Sequence, residues 1–166
     1  MTHQRTHLRC GRAAMLLSLM LAGSQAAIPT AAADNSRLNN SVATNIYTIH
    51  RQQHCADDVT VNPTLRLAAE WHTNDVLNNR TLDGDLGSDG SSAQDRAYAA
   101  GYAGEVAETV AINPALAISG IELLNQWYSN PAYLTIMRDC SYDQVGVWSA
   151  NSLDRTVVVA VYGRPR

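Results

Sequence analysis

Gln144-Val145-Gly146-Val147-Trp148-Ser149 and Arg155-Thr156-Val157-Val158-Val159-Ala160-Val161-Tyr162 decide the fold, with Asn151-Ser152-Leu153-Asp154 between them. Both stretches are β-branched and aromatic, and the segment between them supplies turn residues, so together they predict an antiparallel hairpin. The run at 157–161 is apolar at every position rather than at alternate ones. That pattern predicts a central strand covered on both faces.

Upstream of the hairpin the hydrophobic period changes to that of helices. Val42, Ile46 and Ile49 recur at helical spacing between Ser41 and about Gln53, after a polar, Asn-rich entry at 34–40 that reads as flexible. Asn62-Pro63 opens a second helix, with Asn62 as cap and Pro63 at the first helical position. Its apolar stripe is Leu65, Ala68, Ala69, His72, Val76 and Leu77, and it stops at Asn78-Asn79. A polar loop rich in Gly and Asp fills 82–92, and a short helix over 93–100 closes at Gly101. Residues 105–110 read as strand or irregular. Asn113-Pro114 repeats the cap-plus-proline signal and predicts a third long helix through Ile118, Ile121, Leu124 and Trp127, broken at Ser129-Asn130-Pro131 before a brief helical turn through Ile136. Helices followed by a late hairpin describe an α+β domain with helices packed on an antiparallel sheet, occupying 41–166.

The 166 residues include 12 Arg, no Lys, 15 acidic residues and a net charge of −3. Arg5, Arg9 and Arg12 precede an apolar stretch at 13–22 that is about half the length of a membrane span. Ala31-Ala32-Ala33 then offers small residues before Asp34. This order reads as a secretory signal peptide over 1–33, cleaved after Ala33 or after Ala27, and removing 1–33 takes the charge to −6. The remaining cations are scattered, which argues against nucleic acid and anionic membrane surfaces as partners. No second apolar run is long enough to span a membrane, so the mature chain is expected to carry no transmembrane segment and to be secreted, periplasmic or held in the cell envelope. Export leaves Cys55 and Cys140 in an oxidising compartment. A disulfide between them is the reading an even count favours, with free or catalytic thiols as the alternative.

Asn62-Pro63-Thr64-Leu65-Arg66-Leu67-Ala68-Ala69-Glu70-Trp71-His72-Thr73-Asn74-Asp75 resembles the second helix of the CAP superfamily. That group comprises the cysteine-rich secretory, antigen-5 and pathogenesis-related proteins and their bacterial SCP-like relatives. Asp89-Gly90-Ser91-Ser92 with Arg96 and Ala100-Gly101-Tyr102 resembles the bacterial branch. Val106-Ala107-Glu108-Thr109-Val110-Ala111 stands where the family has Glu-Asn-Ile, and Trp127-Tyr128-Ser129-Asn130-Pro131-Ala132-Tyr133 is similar to its Trp-x-x-Ser-Pro-x-His. The likeness covers roughly 42–162. It implies an α-β-α sandwich, and a cysteine after the first helix and another before the last hairpin are familiar in actinobacterial-type members.

The resemblance also implies a central cleft in which many members place two histidines and two acidic residues, a tetrad that binds a divalent metal in some of them. Carried over, the four positions are Asp85, Glu108, Asn130 and Tyr133, so only the glutamate is kept. Zinc needs converging imidazoles or thiolates, and general base chemistry near neutrality is most easily done by His. Only His50, His54 and His72 follow the leader, and none stands at a tetrad position. His50 and His54 read as an exposed helix face, and His72 as a buried, hydrogen-bonded core histidine. Trp71 and Trp127 read as core anchors, and Trp148 as core or cleft wall. Asp83-x-Asp85-x-x-x-Asp89-Gly90 misses the EF-hand spacing at Gly87 and reads as a solvated turn. No Gly-x-Ser-x-Gly occurs. For this chain no metal and no cofactor is expected. A binding role toward a small molecule, of lipid-like or other chemistry, or toward an envelope or extracellular protein is favoured over catalysis. The alternative is a hydrolase or protease using Asp85 and Glu108 as an acidic pair.

Overall fold

β4 (Arg155–Arg164) is the centre of the molecule, buried at every residue from Arg155 to Gly163. The computed structural model describes residues 35–82 and 84–166; the expected leader and Asp83 lie outside them. Before β4 come α1 (Ser36–Gln52), β1 (Thr60–Val61), α2 (Pro63–Asn78), α3 (Ala93–Ala99), β2 (Glu105–Asn113), α4 (Gly120–Tyr128), α5 (Pro131–Arg138) and β3 (Gln144–Ser152). The sheet order is β1-β3-β4-β2. β3 and β2 flank β4 antiparallel, with Trp148 opposite Val159 and Glu108 opposite Val161. β1 joins β3 in parallel over two residues.

The continuous apolar run works as its pattern requires. Val158, Ala160 and Tyr162 face Val42 and Ile46 of α1, Leu123 and Trp127 of α4 and Met137 of α5. Val157, Val159 and Val161 face Leu65, Ala68, Ala69 and Val76 of α2 and Ala97 of α3. Helices therefore cover both sides of one sheet, the α-β-α arrangement that the resemblance implies. α2 lies so close to β3 that a Cβ on Gly146 would fall inside the backbone of Leu65 and Arg66. Cys55 and Cys140 form a disulfide with Cα atoms 5.2 Å apart, tying the end of α1 to the approach to β3. A closed loop of this length contributes on the order of 4 kcal/mol in the chain-entropy picture.

Local signals set the helix ends. Asn62 Oδ1 accepts from the Thr64 and Leu65 amides, with Pro63 at the first helical position. Asn130 does the same for α5, accepting from Ala132 and Tyr133. Asn113-Pro114 does not start a helix, contrary to the sequence expectation. β2 continues to Asn113, where it still pairs with Thr156, and α4 begins at Gly120 under a capping box made by Ser119 and Glu122. Strand pairing along β4 overrides the short-range cap signal. α1 likewise begins at Ser36, inside the stretch expected to be flexible, because Asn39 is buried and accepts from Ser149 Oγ at 2.6 Å.

Three side chains sit elsewhere than the periodicity suggested. Trp71 is 42 % exposed, while Trp127 is core. His50 is buried rather than on an exposed face, since it continues the Val42-Ile46-Ile49 stripe. His54 lies past the end of α1, exposed, at φ 59°.

Candidate functional site

The cleft is built where the loop before α3, the middle of β2 and the start of α5 meet. β2 is half-covered at its first residues and buried at Glu108, Thr109 and Val110, so the glutamate side chain lies inside, at 1 % exposure. Arg96 of α3 is held beside it. The capping box of Ser92 and Asp95 fixes the start of α3, and Arg96 Nη2 donates to Glu108 Oε1 at 2.7 Å and to the Asp85 carbonyl at 2.9 Å. Its Nη1 donates to the Ser91 carbonyl at 2.6 Å. One guanidinium thus ties the loop over 85–91 to the sheet.

Asp85 and Tyr133 form the outer half. The Tyr133 hydroxyl donates to Asp85 Oδ1 at 2.9 Å. Burial pushes the phenol's pKa up, and the Asp85 carboxylate pushes it further, so it stays a donor. Asn130 sits one residue before α5, where its side-chain oxygen is committed to the cap. Of the four tetrad positions, Asp85 and Tyr133 bond each other, Glu108 lies within electrostatic reach of both, and Asn130 makes none of these contacts.

An imidazole also stands here, one that sequence reasoning placed in the core. His72 of α2 is fully buried, with Nε2 3.2 Å from the Gly84 carbonyl and 3.5 Å from Glu108 Oε1. A carbonyl only accepts, so Nε2 carries the proton. Burial, with Arg96 nearby, lowers the His72 pKa and keeps the ring neutral. Burial also raises the Glu108 carboxyl, up to about 8, against the opposing pull of Arg96. Glu108 Oε2 and His72 Nδ1 have no hydrogen-bond partner among the described residues.

The divalent metal implied by the family does not fit this set. A guanidinium already lies against the carboxylate that would hold the ion, and it would repel a second cation. The one imidazole turns its protonated nitrogen to Gly84, and the position of the family's other histidine is a phenol hydrogen-bonded to Asp85. Among the described residues no group of three or more His, Cys, Asp or Glu is placed to hold a metal. Asp89 of the acidic loop accepts from the Ser91 amide at 2.9 Å, within its own turn.

The sequence matches the pattern of the cysteine-rich secretory protein family, CAP, over residues 44–162. The chain belongs to that family. An outer surface protein of Borrelia burgdorferi superposes with a TM-score of 0.71 at 15 % identity, covering 80 % of this chain and 96 % of that one. An extracellular protein containing an SCP domain from Bacillus anthracis gives 0.58 at 13 % identity, covering 78 % of this chain and 42 % of that one. A cysteine-rich secretory protein of Staphylococcus aureus gives 0.54 at 11 %, covering 78 % and 39 %. This chain therefore corresponds to less than half of the latter two proteins. At these identities the likeness is one of fold. The curated proteins contain no significant match to the sequence.

Proposed function

We propose that this is an exported, non-catalytic CAP domain that works by binding a small molecule, of lipid-like or other chemistry, or a protein of the cell envelope or extracellular space. The observation that carries this reading is the Arg96–Glu108 pair. The family's retained glutamate is 1 % exposed and engaged by a guanidinium at 2.7 Å, so it has no open face toward a substrate or a metal. His72, the nearest imidazole, is fully buried beside it. Support for export comes from the leader-like order of residues 1–33 and from the Cys55–Cys140 bridge.

One observation favours the alternative, a hydrolase using Glu108 with Asp85. A carboxyl raised to about 8 beside a neutral histidine is the kind of group acid–base chemistry uses. Comparing the protein with Glu108→Gln separates the two. The binding reading expects no turnover of casein or of short-chain esters by either protein, together with a small molecule recovered from the purified domain by mass spectrometry. Hydrolysis present in the unmodified protein and lost in Glu108→Gln overturns it. Export is tested by N-terminal sequencing of secreted material, with Asp34 or Ile28 expected first and an intact Met1 contradicting it.

A further inference from the structure

Arg96 and Arg155 are both buried to 6 % exposure, and the fold treats them oppositely. Arg96 donates to the Glu108 carboxylate and to the Ser91 and Asp85 carbonyls. Arg155, at the start of β4, donates only from Nη2 to the Leu82 carbonyl, at 3.3 Å. No carboxylate among the described residues pairs with it. Its Nε and Nη1 have no partner among the described residues and are not sealed off. Its place follows from the strand period. Val157, Val159 and Val161 face α2, and Arg155 stands two residues before Val157 on the same face. The row of valines thus ends in a guanidinium. A cavity of about 520 Å3 opens there, lined by Arg80, Leu82, Ile112, Pro114, Asp154 and Arg155. β2 stops pairing at Asn113, opposite Thr156, and the next residues along, Pro114 and Arg155, both line the cavity. The second cation is already satisfied: Arg80 Nη2 donates to Asp154 Oδ1 at 2.8 Å and to Oδ2 at 3.1 Å.

We infer that this cavity binds a small organic carboxylate with an apolar body. Arginine keeps its charge at any ordinary pH and carries five N–H donors. A cation taken out of water is ordinarily paired, because leaving it alone is costly. A carboxylate presents two oxygens in the plane of the guanidinium fork and is its natural partner. With Arg80 and Asp154 cancelling, the lining carries one net positive charge, on Arg155, which suits a single negative charge. A doubly charged phosphate would bring its second charge against Asp154. Leu82, Ile112 and Pro114 supply the apolar contact for the rest of the molecule, and the size suits a small ligand. An uncharged apolar molecule would leave the guanidinium as unpaired as it is without it. The assignment gives the small-molecule side of the binding reading above a ligand class, and it rests on that reading.

The test is titration of the 15N-labelled protein with hexanoate and benzoate, with their neutral amides and with inorganic phosphate, following the backbone amide signals of Leu82, Ile112 and Arg155 by NMR. At least one of the two acids is expected to shift them saturably, and its amide to bind at least about tenfold more weakly. Arg155→Lys keeps the charge but loses the fork, and should weaken the acid at least about tenfold. Asp154→Asn removes the neighbouring negative charge and frees Arg80, and should tighten the acid by up to about fivefold. A purely structural arginine would not produce that gain. Unaltered circular dichroism checks that each variant folds. No saturable shift with either acid up to about 10 mM, equal binding of acid and amide, phosphate binding tighter than both acids, or an acid affinity that neither variant changes overturns the assignment. Blank acid titrations alongside another small molecule recovered from the purified domain would sink this site and leave the broader binding reading standing.

Discussion

Two arginine–glutamate combinations on this domain have opposite fates. Arg96 and Glu108 are buried and bonded at 2.7 Å, and the same arginine holds the Ser91 and Asp85 carbonyls. Arg66 and Glu70 stand one helical turn apart at the mouth of a groove between α2 and β3, with the Arg66 guanidinium over the Trp148 ring, and form no pair. The first combination has every reason to stay closed. Opening it would strand a charge in the core, and removing one partner of a buried pair typically costs about 3–5 kcal/mol. The second has no ion pair between its members to lose. The contrast separates residues that hold the fold from residues left available, although the family likeness alone would draw attention to the first pair.

The sharpest way to break this contrast is to truncate both sites. Glu108→Ala leaves the buried Arg96 guanidinium without its acceptor and opens a void beside His72, and should lower unfolding stability in urea by about 3–5 kcal/mol. A loss under 1 kcal/mol would mean that the carboxyl is solvated and the cleft open.

A second prediction concerns pH. The Glu108 carboxyl rises from 4.5 to about 8 on folding. Between those values the folded chain keeps a proton that the unfolded chain has released, so this group's stabilisation is complete below pH 4.5 and is lost as the pH rises through 8. His72 acts in the opposite sense: its lowered pKa gives stability that is present above 6.5 and lost as the pH falls. Against Glu108→Gln, in which only the first effect is removed, the unmodified protein should lose relative stability steadily from pH 4.5 to 8. A flat difference across that range would show an ordinary, water-exposed carboxylate.

The smallest expected effect is at the groove. Arg66→Ala removes one surface cation–π contact and should cost no more than about 1 kcal/mol in the same denaturation experiment. A loss comparable with that of Glu108→Ala would place Arg66 among the residues that hold the fold.

The architecture was legible because its signals are local and strong. Five successive apolar residues at 157–161 can be covered only from both sides, and Asn62-Pro63 caps the helix it predicts. Asn113-Pro114 carries the same two residues and misleads, since its place in β2 is set by Thr156 across the sheet. The Ser119-x-x-Glu122 box was the readable start of α4. Helical phase also held more than was drawn from it. His50 continues the Val42-Ile46-Ile49 stripe, while Trp71 falls a quarter-turn or so away from His72 and outside the buried face of α2. The cleft was legible only through the family likeness, which supplies Asp85, Glu108, Asn130 and Tyr133 as positions and not as contacts. That His72 meets Glu108 depends on how α2 and β2 lie in space, 36 residues apart in the chain, and no spacing rule reports it.

Zinc titration by calorimetry bears most directly on the claim that the family's metal site has become a closed, guanidinium-held network. The unmodified protein, stripped with chelator, should show no saturable heat at micromolar zinc. Micromolar binding that disappears in both Asp85→Asn and Glu108→Gln would contradict it.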